Sequence, residues 1–202
     1  IVTIKGGTIG SGGSADADHG NVFGASRGTG ITWWCEKAMV FATNVSITKG
    51  TVNGNVYGGG QIGRVGDDGK VTIGIASDIG EARMPDIKGD VFGAGAGLKT
   101  HGYSALLRGN SEVTIQGTAQ VGGNVYGGGE TASVGKFKVV GGLPTEPDGG
   151  GTCKVTIKDN SRIGASGTTD YNHNVYGACK GVTPAYNNTE NDPNRSKSMQ
   201  LL

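Results

Sequence analysis

Residues 54–60 read Gly-Asn-Val-Tyr-Gly-Gly-Gly, and the five-residue core of that stretch occurs five times along the chain. The copies are GNVFG at 20–24, GNVYG at 54–58, GDVFG at 89–93, GNVYG at 123–127 and HNVYG at 173–177. Their valines, Val22, Val56, Val91, Val125 and Val175, lie 34, 35, 34 and 50 residues apart. A second motif also has five copies: Val2-Thr3-Ile4, Val45-Ser46-Ile47, Val71-Thr72-Ile73, Val113-Thr114-Ile115 and Val155-Thr156-Ile157. Seven or eight residues beyond each of its valines stands a further apolar residue before a small turn residue: Ile9, Val52, Ile79, Val121 and Ile163. Each unit therefore holds three short apolar strokes separated by Gly and Asn.

Such strokes are too short to bury a face alone, but stacked units share a continuous apolar interior. The expected fold is all-β: a parallel β-solenoid of about five three-sided coils over residues 1–182, with a polar tail or linker at 183–202. Within each V-[TS]-I stroke, Val and Ile face inward and the Thr or Ser faces out. Counting from Ile9, Val52, Ile79, Val121 and Ile163, the second and third strokes are separated by 13, 4, 12, 4 and 12 residues. That count predicts side loops on alternate coils, at 10–20, 80–89 and 164–173. Further insertions follow the third stroke, among them 30–42 with Trp33 and Trp34.

Composition agrees with this placement. Glycine supplies 41 of 202 residues, and Ile plus Val number 31 against 6 Leu, a balance that favours strands. The 18 basic and 17 acidic residues leave a net charge of +1, without the electrostatic footprint of a nucleic-acid binder. No stretch is apolar enough for a membrane helix, so membrane insertion is not expected. The chain begins directly on a stroke, which reads as a fragment or processed form with open coil edges prone to self-association.

The GNVYGGG and V-T-I style of repeat resembles the glycine-rich repeats of large cell-surface, adhesin-like proteins of Bacteroidota. The likeness covers nearly all of residues 1–185. It implies a right-handed parallel β-helix within a longer extracellular protein attached at the outer membrane. The implied role is non-catalytic: an adhesin-like binding module, or a rigid spacer, contacting glycan or host protein. The Trp-containing insertion, the Pro-containing loop at 143–151 and the tail depart from the pattern.

Several columns could carry chemistry. Phe23, Tyr57, Phe92, Tyr126 and Tyr176 follow the inward valines, so strict alternation turns their rings to the opposite side. There they stand exposed as platforms for sugar faces, with Trp33 and Trp34 as further ligand-binding candidates, or they pack at a corner. Asn21, Asn55, Asp90, Asn124 and Asn174 precede the valines and suit hydrogen bonding to turn amides. Asp16, Asp18, Asp86 and Asp170 lie in the alternate loops, where carboxylates and carbonyls could hold calcium. A carbohydrate-active enzyme, a lyase or glycosidase, is the alternative, with Asp86, Asp170, Arg83, His19 and His173 as candidates. None of these sits in a recognisable catalytic motif. Cys153 shares parity with Val155 and Ile157 and points inward, and Cys179 could approach it and form a disulfide in an oxidising setting.

Overall fold

The computed structural model describes residues 1–10, 19–28, 38–80, 84–99, 104–140, 143–164 and 173–181. The described residues form strands and turns without a helix, and their strands pair mostly in parallel. Trp33, Trp34, Asp16, Asp18, Asp170, Arg83 and the tail from 183 onward lie outside them.

The V-[TS]-I strokes fall in Val2–Ile9, Thr43–Val52, Gly69–Ile73, Ser111–Ile115 and Cys153–Ile157, side by side and in register. Val2, Val45, Val71, Val113 and Val155 form one row, and the isoleucines two residues on form another. The period of two puts Val45, Ile47, Val71, Ile73, Val113 and Ile115 wholly in the interior and leaves Ser46, Thr72 and Thr114 on the other face. Val2–Ile9 and Thr43–Val52 both run on through the second stroke, so a second row of pairs starts with Thr8–Thr51 and Ile9–Val52 and goes on to Thr51–Asp86 and Val52–Ile87. The result is one eight-stranded sheet that curls about the core.

The second row corrects one expectation. Val52 pairs with Ile87, Ile87 with Val121 and Val121 with Ile163, so the third unit's second stroke is Asp86–Ile87. Ile79 is 81% exposed, whereas Ile87 is fully buried. Four residues separate Ile87 from Val91, the same spacing as Val52 to Val56 and Val121 to Val125. The extra residues of the third unit therefore enter before its second stroke. Loops between second and third strokes belong to the first and last units alone, and the predicted alternation fails.

The third strokes, Val22–Phe23, Val56–Tyr57, Val91–Phe92, Val125–Tyr126 and Val175–Tyr176, make a five-stranded parallel sheet. Their valines join the core formed by the other two strokes. Each such buried Val or Ile contributes about 1.5–3 kcal/mol of transfer free energy, so the stacked rows carry most of the stability. After each ring the chain returns at close quarters. A Cβ on Gly24, Gly58 or Gly93 would collide with the carbonyl oxygen of the equivalent glycine in the next unit. At these three positions only glycine fits.

Two further rows lie beyond the three strokes. Arg27, Gln61, Ala96, Glu130 and Lys180 are joined by parallel bridges. Val40 pairs with Val65, Val65 with Leu107 and Leu107 with Val134. Val65, Leu107 and Ala94 form a separate small core packed by Ala25, Val40 and Val134. The insertion after Val134 contains an antiparallel hairpin, Phe137–Val140 with Leu143–Pro147, that stands as a sheet of its own.

Side-chain oxygens tie the units together. Asn21 Oδ1 accepts the Asn55 amide at 2.7 Å, Asn55 Oδ1 the Asp90 amide at 2.8 Å, and Asp90 Oδ1 the Asn124 amide at 2.8 Å. Asn124 Oδ1 accepts both His173 and Asn174 amides at 2.9 Å. The bonds run from one unit to the next, so each polar side chain satisfies a backbone donor one level away. A second column works alike: Asp68 Oδ1 accepts the Asn110 amide at 2.7 Å, and Asn110 Oδ1 the Thr152 amide at 3.1 Å.

Candidate functional site

The aromatic column is a continuous stack. Ring centroids are 4.7 Å apart for Phe23 and Tyr57, 4.9 Å for Tyr57 and Phe92, and 4.8 Å for both Phe92–Tyr126 and Tyr126–Tyr176. Interplanar angles stay at or below 10°. In-register parallel pairing sets this separation, since neighbouring strands lie about 4.8 Å apart. Alternation does turn the rings away from the valine core, but that side is covered too. Tyr57, Phe92 and Tyr126 are buried, with Ala96 packed against them. The exposed-platform expectation therefore fails for these three: each spends both ring faces on its neighbours. Tyr176, at the end of the stack, is 44% exposed.

Beside the stack runs a row in which all members but Ala96 are polar. The residue four places after each aromatic is Arg27, Gln61, Ala96, Glu130 or Lys180, the bridged row described above. Arg27 is exposed and the other four are half-buried. The Lys180 ammonium lies 3.1 Å from Glu130 Oε1 and 3.4 Å from Asp90 Oδ2. It also stands 5.6 Å from the Phe92 ring centroid and 5.9 Å from that of Tyr126, beside the stack rather than over a ring, because both faces of each ring are taken by its neighbours. Glu130 Oε2 accepts the Tyr57 hydroxyl, which in turn accepts Asn55 Nδ2 at 3.0 Å.

Electrostatics fixes the protonation of this cluster. Burial first, and then the hydrogen bond and charge of Glu130, push the Tyr57 phenol well above its ordinary range. Burial and the Asp90 charge raise Tyr126 as well. For Lys180, burial works against the ammonium, but Glu130 and Asp90 outweigh it and the pKa rises. The phenol stays a neutral donor and the lysine a cation. The cluster sets the two carboxyl groups of Asp90 and Glu130 against the one ammonium of Lys180. Carboxylate oxygens and an ammonium beside aromatic edges suit hydroxyl-rich or amide-rich ligands through hydrogen bonds.

Of the other candidates, Asp86 sits on the curled sheet, with Lys88 Nζ 2.6 Å from its Oδ2. Among the described residues no group of three or more His, Cys, Asp or Glu could hold a metal ion, so Asp86 has no cation-binding company there. His19 and His173 are both described, the latter with its backbone amide donated to Asn124 Oδ1. Cys153 and Cys179 are free thiols that share a hydrogen bond. No family model, curated protein or solved structure matches this chain.

Reading the sequence by motif missed Glu130 and Lys180. Their signal is nonetheless present: within an otherwise repetitive motif, the fourth position after the ring changes charge from copy to copy. A position that packing does not dictate is free to serve recognition.

Proposed function

We propose that the chain is a right-handed parallel β-solenoid of about five three-sided coils, acting as a non-catalytic, adhesin-like segment of a longer bacterial cell-surface protein. The unbroken stack from Phe23 to Tyr176 carries this reading. Face-to-face rings and inter-unit amide bonds commit five successive units to one axis, which suits a rigid rod that holds a binding strip or a further domain away from a surface. The first core supports the three-sided coil, because it draws on all three strokes. The recognition strip is the row Arg27, Gln61, Ala96, Glu130 and Lys180, and its partner is an extracellular glycan or host protein. Outer-membrane attachment through the parent protein belongs to the same reading.

Open edges complete the proposal. Val175–Tyr176 pairs on one side only among the described residues, and both side chains are exposed, so a second copy can add there. Light scattering of the purified chain tests this, and a strict monomer defeats it. A carbohydrate-active enzyme is the second reading, favoured by the two carboxyl groups of Asp90 and Glu130 that share the Lys180 ammonium. A glycan array combined with reducing-sugar release separates the two. Binding without turnover, weakened by Lys180→Ala, supports the adhesin-like module. Turnover abolished by Glu130→Gln or Asp90→Asn overturns it.

A further inference from the structure

The two cysteines of the last unit sit where no other unit has a thiol. Cys153 opens the fifth V-[TS]-I strand, in the row of Thr43, Gly69 and Ser111. Cys179 precedes Lys180, and so occupies the place that Ser26, Gly60, Gly95 and Gly129 hold in the other units. Both lie over consecutive glycines of the preceding unit. A Cβ on Gly127 would come within 3.2 Å of Cys153 Cβ, and one on Gly128 would collide with Cys179 Sγ. The missing side chains leave room for two sulfurs, and the thiols meet in a hydrogen bond.

We propose that Cys153 and Cys179 form an oxidation site, a disulfide that closes the fifth unit on itself at the exposed end of the stack. The unit needs such a link more than the others do. Val175, Tyr176 and Ile157 are exposed, so this level has the least apolar burial to hold it. The bond would span 26 positions, from the first stroke of the unit to the segment beyond its third, and would enclose the insertion at 165–172.

The two thiols have unequal roles. Cys179 is exposed, and the hydrogen bond from Cys153, with a further one from the Gly129 backbone, draws its pKa below the ordinary thiol range against partial desolvation by the neighbouring chain. Cys153 is pushed up by that same bond and by burial. Cys179 is therefore the attacking thiolate and Cys153 the resolving thiol. With a small-molecule disulfide as oxidant, Cys179 attacks one sulfur, forms a mixed disulfide and releases one thiolate. Cys153 then gives up its proton, attacks Cys179 Sγ and expels the second thiol. One S–S bond forms and one is broken, and two electrons pass from the cysteines to the external disulfide.

The test uses the full chain equilibrated with oxidised glutathione and then digested with trypsin under non-reducing conditions. The expected product links peptide 139–154 to peptide 163–180, two hydrogens lighter than their sum, and forms equally in Cys35→Ser. Amide exchange across 173–181 should slow on the order of tenfold on oxidation. Cys153→Ser should stop at the glutathione adduct on Cys179, and Cys179→Ser should form neither product at a comparable rate. A wild-type end product that keeps glutathione on Cys179, or links either cysteine to Cys35, overturns the proposal. So does a linked peptide pair without slower exchange.

Discussion

The Tyr57 hydroxyl donates to Glu130 Oε2 at 2.5 Å, although the two residues belong to units separated by the one that holds Ala96. Ala96 lies between Gln61 and Glu130 in the row, and its short side chain leaves the way open for that reach. Tyr57→Phe should cost about 1–3 kcal/mol in urea unfolding, because it removes a hydrogen bond to a charged acceptor. Ala96→Leu should cost a similar amount by closing the path. The double variant should then lose less than the sum, since both changes break the same contact. Full additivity would mean that Ala96 does not keep the path of this bond open.

The same contact sets an alkaline limit. Tyr57 and Lys180 both have raised pKa values, so the folded state binds more protons than the unfolded chain once pH exceeds the unfolded values. Their stabilisation is complete below about pH 10 and is lost as pH climbs through the folded values. Melting temperature should fall above about pH 10, and Tyr57→Phe should flatten that fall. An unchanged slope in the variant would show that the phenol is not the titrating group.

The register of the third unit is open to a direct comparison. Ile87→Asp places an unpaired carboxylate between Val52 and Val121, and should abolish cooperative unfolding and reduce the strand signal in circular dichroism. Ile79→Asp should change stability by no more than about 0.5 kcal/mol, because the side chain is already in water. Reversal of the two outcomes would restore Ile79 to the stroke.

That comparison marks what the sequence could disclose. The V-[TS]-I and NVYG strokes were legible because a period of two, repeated five times, leaves a single register. Ile79 misled because Ile-Gly also ends the first and last second strokes, whereas the spacing to the next valine, four residues at Ile87, was the better guide. Alternation correctly gave the side on which each ring lies. Whether that side is covered depends on the return chain, and a pattern within one strand carries no such information. The core of Val65 and Leu107 was hidden for a related reason: its members lie at uneven intervals, across insertions of different length. Glu130 and Lys180 could be found only by asking where the repeat is not kept.

The glycine column separates packing from conformation. Gly93→Ala sets a methyl group against the Gly127 carbonyl and the Ser111 hydroxyl, and the stacked backbone cannot retreat on either side. Loss of about 1–3 kcal/mol is expected, as for overpacking elsewhere. At the end of the same column, a methyl group on Gly177 would meet no atom within 4 Å, so Gly177→Ala should be neutral or slightly stabilising. Thermal melts of the two variants decide the matter, and equal losses would imply that glycine serves there for chain flexibility rather than close approach.

Asp90 combines two duties that substitution can divide. Its Oδ1 accepts the Asn124 amide, while its Oδ2 faces Lys180. Asp90→Asn keeps an oxygen for the amide, as Asn21, Asn55 and Asn124 do in their units, and loses only a partly exposed ion pair worth about 0–1 kcal/mol. Asp90→Ala also strands the amide of the buried Asn124, which costs about 1–3 kcal/mol more. The alanine variant should therefore be clearly the less stable in urea, and added salt should narrow the gap between wild type and Asp90→Asn but not that between Asn and Ala. If the two variants were equally destabilised, the charge and not the inter-unit amide bond would be what holds this level of the stack.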